Sequence, residues 1–122
     1  MIKTNVKYTN YQATPDVELY LQKKLDKIGE VGEQYQDEVI LRVEIGKSTD
    51  HHQKGEIFRA EIQTHVNGRD ARAVSETEDI FTSIDEAKDK LVQEILKDKE
   101  KQDTLMRKGG RKIKNLLKGF YK

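Results

Sequence analysis

The chain has 122 residues, a length that suits one domain with one buried core. Only 34% of residues are hydrophobic and 37% are charged, so a lean core must lie under a heavily charged surface. No run approaches the ~20 apolar residues that cross a bilayer. The absence of cysteine excludes disulfides, thiolate metal sites and cysteine nucleophiles.

The formal net charge of +1 hides an uneven distribution. Seven of the 23 basic residues fall between 105 and 122, namely Arg107, Lys108, Arg111, Lys112, Lys114, Lys118 and Lys122, with no acid among them. The other 16 share residues 1–104 with all 22 acids, a net of −6. A mildly acidic body therefore leads into a strongly basic end. That asymmetry suits an anionic partner, either nucleic acid or a membrane surface. Met1-Ile2-Lys3-Thr4-Asn5 opens no apolar run of the kind that precedes a signal cleavage site, and a cytoplasmic protein is expected.

Residues 2–8 alternate, with Ile2, Thr4, Val6 and Tyr8 on one face, which predicts a half-buried strand. Thr14-Pro15 then opens a helix: Thr is a good N-cap and Pro suits the first helical position. Val17, Leu21, Leu25 and Ile28 form its buried stripe beside Tyr20, while Lys23, Lys24 and Lys27 fall on an outer face. Gly29 and Gly32 are expected to end it. A second strand is predicted over 38–45, with Val39, Leu41, Val43 and Ile45 inward and Glu38, Ile40, Arg42 and Glu44 outward. Gly46 to Gly55 reads as a polar loop. A third strand over 56–66 directs Phe58, Ala60, Ile62, Thr64 and Val66 inward. Asn67-Gly68 then tolerates the positive φ of a type I′ hairpin. The return strand places the small residues Ala71, Ala73 and Ser75 inward, leaving room for a helix to lie close.

The last element is a long helix from about Asp79 that runs past Lys101. Its stripe is Ile80, Phe81, Ile84, Ala87, Leu91 and Ile95, extended by Leu96. Local pairs such as Glu86 with Lys90, and Glu94 with Lys90 and Lys97, would suit its outer face. Gly109-Gly110 breaks it. Beyond, Ile113, Leu116, Leu117 and Phe120 recur at helical spacing among basic residues. A segment of ~12 residues is too short for a stable isolated helix, so it is expected to stay flexible until it finds a surface.

The expected order is β-α-β-β-β-α, an α+β fold with one sheet and two helices on one face. The expected division is an α/β domain over 1–104 and a basic amphipathic tail over 105–122. No Gly-rich phosphate loop, Ser/His/Asp set or HExxH occurs, and an enzyme is not expected. His51-His52 beside Asp50 lacks the spacing that aims two rings at one ion, so neither a metal nor another cofactor is expected. His65 alternates outward as a surface or RNA-facing side chain. Arg59, Arg69 and Arg72 are weaker candidates for RNA contact.

Three segments in this order resemble the ribosome hibernation promoting factor and ribosome-associated inhibitor family. They are Thr14-Pro15, the hairpin at Val66-Asn67-Gly68, and Glu78 to Asp85, EDIFTSID, at the start of the second helix. The likeness covers about residues 2–101 and is to the short form, without a C-terminal dimerisation domain. It implies a fold similar to a double-stranded-RNA-binding domain. It also implies a site on the small ribosomal subunit, in the channel of messenger and transfer RNA, where occupancy blocks translation. Basic residues on both helices would face the ribosomal RNA. The matching positions are Lys24 and Lys27 on the first helix, and Lys90, Lys97, Lys99 and Lys101 on the second. Glu18 and Gln93 stand where relatives often carry Arg. In the basic end, Arg107, Lys108, Arg111 and Lys112 are further RNA candidates, with Phe120-Tyr121 available to stack on bases. The expected partners are the small subunit and its RNA, not DNA and not a membrane, and the free protein is expected to be a monomer. Two other readings remain open at this point: a protein-interaction module using the exposed sheet face, and a peripheral membrane protein led by the tail.

Overall fold

The computed structural model describes residues 1–48 and 55–97. Alternation in the first segment produces β1, Ile2–Thr9. Thr14 then caps α1, Pro15–Gly32: its backbone is extended, and its hydroxyl accepts the Val17 backbone N–H at 3.4 Å. The strands β2 (Val39–Ser48), β3 (Ile57–Val66) and β4 (Arg69–Thr77) follow. α2 occupies 80–97. Asp79 caps it, its Oδ2 accepting from the Thr82 backbone N–H at 3.0 Å and from the Thr82 hydroxyl at 2.8 Å.

The four strands form one sheet in the order β1-β2-β3-β4. β1 runs parallel to β2, which requires a crossover, and α1 is that crossover. The other two pairings are antiparallel. Asn67 and Gly68 turn β3 into β4 with φ of 56° and 77°, as the Asn-Gly pair predicts. Both helices lie on one face. Leu21, Leu25 and Ile28 of α1 meet Leu41, Ile45 and Ile62 of the sheet there, and Ile84 and Leu91 of α2 complete the core. Ala71, Ala73 and Ser75 are buried beneath α2, as their small size suggests.

Four expectations need correction. The helix does not stop at Gly29 but passes through it to Gly32. Both glycines mark close approaches: a Cβ on Gly29 would lie 2.6 Å from Ile2 Cγ1, and one on Gly32 2.9 Å from Val39 Cγ2. The polar loop does not begin at Gly46. β2 continues to Ser48, pairing Lys47 with Phe58, and Gly46 is required because a Cβ would strike the Thr9 carbonyl oxygen. Leu96 is 38% exposed and lies off the α2 stripe. Val6 is also 38% exposed, because β1 is an edge strand. The His51-His52 loop, the stretch past Lys97, the Gly109-Gly110 break and the tail lie outside the described residues.

Candidate RNA interface

The helices meet along a polar seam. The Tyr20 ring stands edge-on to Phe81 with centroids 5.0 Å apart, and its hydroxyl donates to Asp85 Oδ2 at 2.5 Å. One turn further, Lys24 Nζ lies 3.1 Å from Asp85 Oδ1 and 5.0 Å from the Tyr20 centroid. Residues four apart on α1 thus face residues four apart on α2 in the same sense, so the helices run side by side and parallel. Asp85 pulls the Lys24 ammonium above its ordinary pKa. Accepting the Tyr20 hydroxyl and burying the ring raise the phenol as well. For Asp85 itself, burial pushes the carboxyl up, but the Tyr20 and Lys24 contacts and the Lys24 and Lys88 charges outweigh it and hold the value low.

The candidate lysines are therefore not equivalent. Lys24 is half-buried and already paired. Lys27, one turn on, is exposed and has no carboxylate partner among the described residues. Lys97 is likewise exposed and unpaired among them. Lys90 reaches sideways, its Nζ donating to the Val74 carbonyl at 3.2 Å and so covering an open backbone acceptor on edge strand β4. Its expected local partner Glu86 instead accepts from the Ser75 hydroxyl at 2.5 Å, so the helical pair of Glu86 with Lys90 is not made. Lys88, one of the mixed outer-face charges, lies close enough to the seam to act on Asp85. It stands three residues from Asp85 on the same helix, a spacing readable in the sequence, and its Nζ lies 3.1 Å from Asp89 Oδ1. Lys99, Lys101, Arg107, Lys108, Arg111 and Lys112 lie outside the described residues.

The sheet's other face is also charged, but many of its charges are paired, within a strand or across strands. Glu61 is almost fully buried there. Arg72 Nε holds its Oε2, Arg59 Nη1 lies 3.3 Å from Oε1, and Gln63 donates at 3.4 Å. Burial raises the Glu61 carboxyl, yet the Arg72 hydrogen bond and the two guanidinium charges prevail and depress it. Lys3 with Glu38 at 3.6 Å and His65 with Asp70 at 2.7 Å continue the pattern. Arg42 lies between them with no carboxylate partner among the described residues. Gln36, Ile40, Arg42, Gln63 and Arg72 line a groove of about 580 Å³ on this side. Among the described residues, no group of three or more His, Asp or Glu could hold a metal ion. No helix among them is long and apolar enough to cross a membrane.

A mixed four-stranded sheet with two parallel helices on one face defines an α+β domain. The model of the sigma 54 modulation protein / S30EA ribosomal protein family matches residues 4–103, and the chain belongs to that family. This is the hibernation factor family that the sequence segments resemble. The Protein Y N-terminal domain from Thermus thermophilus is 28% identical, with a TM-score of 0.59 over 77% of this chain and 93% of that one. A ribosomal subunit interface protein from Coxiella burnetii shares the fold at 16% identity and a TM-score of 0.59, covering 81% of this chain and 97% of that one. No curated protein sequence gives a significant match.

Proposed function

We propose that the protein docks on the small ribosomal subunit, in the channel that messenger and transfer RNA would otherwise fill, and so silences an idle ribosome. The family match over residues 4–103 carries this reading. The similar proteins from Thermus and Coxiella, one of them described as a ribosomal subunit interface protein, support it. The docking side is the outward surface of the two helices. Exposed lysines such as Lys27 and Lys97 neutralise phosphates there and release condensed counterions, which yields affinity without sequence readout. A-form RNA is recognised by its shape and backbone, and scattered lysines suit that task. Lys99, Lys101, Arg107, Lys108, Arg111 and Lys112 extend the same charge along the chain. The protein acts in the cytoplasm as a monomer, needs no cofactor and performs no chemistry. Its parts are the domain over 1–104 and the basic tail over 105–122.

Co-sedimentation with purified small ribosomal subunits tests the proposal. Binding is expected at low salt, falling steeply as salt rises, and absence from the subunit fraction at low salt would sink it. The charge reversals to use are Lys27→Glu and Lys97→Glu. Lys24 is less informative, since its reversal would also set two carboxylates together at Asp85.

The groove on the open sheet face favours a second reading, in which a protein partner seats near Ile40 and Arg42. Salt-insensitive capture of a protein, with no RNA present, would mark that outcome.

A further inference from the structure

Lys24 was a candidate RNA contact on sequence grounds, but the fold delivers it already engaged. Its ammonium stands between the Tyr20 ring and Asp85 Oδ1. Asp85 is bound unevenly. Its Oδ2 takes the Tyr20 hydroxyl in a short hydrogen bond. Its Oδ1 is shut off from water and takes no aligned hydrogen bond, and what holds it is the Lys24 charge 3.1 Å away. Both side chains keep partial access to solvent, 29% for Lys24 and 40% for Asp85. A pair of this kind is weakly held and can be exchanged for a competing anion. The groups facing Asp85 are Tyr20 and Lys24 from α1 and Lys88 from its own helix.

We infer that Asp85 is a positioning residue that acts through Lys24 as an internal counterion, occupying the place an RNA phosphate takes on docking and thereby limiting how tightly the protein holds the ribosome. The inference rests on the ribosome-binding reading above and adds the site where docking strength is set. In the free protein Asp85 keeps Lys24 folded over Tyr20, aimed along the seam. On docking, a phosphate exchanges for the carboxylate, and the carboxylate left beside it opposes the gain. Tyr20 stays bound to Oδ2 throughout, so the helices do not separate.

The test is a double-mutant cycle of Asp85→Asn and Lys24→Met, read by binding to purified small ribosomal subunits over a range of salt concentrations. Asparagine keeps the size of the side chain and an oxygen for the Tyr20 hydroxyl, and methionine keeps most of the lysine stem. Asp85→Asn is expected to bind about fivefold tighter at low salt, the scale of one partly exposed ion pair. Its plot of log affinity against log salt should steepen by roughly 0.7 to 0.9, the yield of one more phosphate contact. In the Lys24→Met background the same change should bring no gain. Glu94→Gln, which removes an exposed α2 carboxylate that holds no cation among the described residues, is the control for general charge and should gain less. Equal affinities for wild type and Asp85→Asn would overturn the inference while leaving ribosome binding intact. So would a gain of the same size with and without Lys24. Failure of wild type and all variants to bind would overturn the functional proposal itself, and this inference with it.

Discussion

The two charged surfaces of this domain differ in what their charges do. On the open face of the sheet, many cations and carboxylates lie within reach of one another: Arg59 directly opposite Glu76, Arg72 diagonal to Glu61, and Lys3 beside Glu38. Their charge is largely spent within the protein. On the outward side of the helices, Lys27 and Lys97 have no carboxylate partner among the described residues, and their charge is available to a partner. The number of charged residues therefore says little about where an anion docks. The sheet places side chains opposite one another at fixed spacing, which favours pairing. A helix turns its side chains apart, so pairing there depends on residues three or four positions away.

The largest expected effect lies beneath both surfaces. Leu25→Ala, at a fully buried position between helix and sheet, should cost about 2–5 kcal/mol in a denaturant melt. Gln63→Ala on the open face should cost far less. The comparison of surfaces is then tested directly. Lys27→Glu with Lys97→Glu should weaken binding to small ribosomal subunits on the order of a hundredfold at low salt, since each reversal both removes and opposes a phosphate contact. Arg42→Glu on the sheet should change binding little. A loss as large for Arg42→Glu would erase the difference between the two surfaces and move the interface to the sheet.

Glu61→Gln comes next. It should cost about 1–2 kcal/mol at neutral pH, below the ~3–5 of a fully buried pair, because Arg72 is 59% exposed and can turn to water. The Glu61 carboxyl is held below its ordinary value of 4.5 in the fold. Its stabilisation is thus fully present above that value and is lost as the pH falls through the lowered one. An acid titration of stability should therefore be flatter in Glu61→Gln than in wild type, and identical acid limbs would remove Glu61 from this role. The smallest effect is expected at Lys90→Met, within about 0.5 kcal/mol, because Lys90 only covers an edge carbonyl beside water.

Much of the fold was legible in the sequence because its signals are local. Thr14-Pro15 opens α1, Asn67-Gly68 turns the hairpin, and alternation in 39–45 and 58–66 marks the buried face of the sheet. The misread places were glycines. Gly29 and Gly46 look like breaks, yet each lies inside an element, since another part of the chain presses against it: Ile2 on the first, Thr9 on the second. Such contacts join residues 27 and 37 positions apart, and no window of sequence contains them.

The candidate site divides in the same way. The sequence by itself determined which residue types are present, their helical or strand spacing, and the order of elements that points to the family. Spacing placed Lys24, Lys27, Lys90 and Lys97 on helices, but it treated them alike. Tertiary structure decided which of these charges remain available. Packing α2 against α1 set Asp85 beside Lys24, and packing α2 over β4 set Lys90 against Val74. The physical reason is range. Helix and strand periodicity follow from backbone geometry within a few residues, whereas an ion pair depends on distances that exist only after distant segments have met.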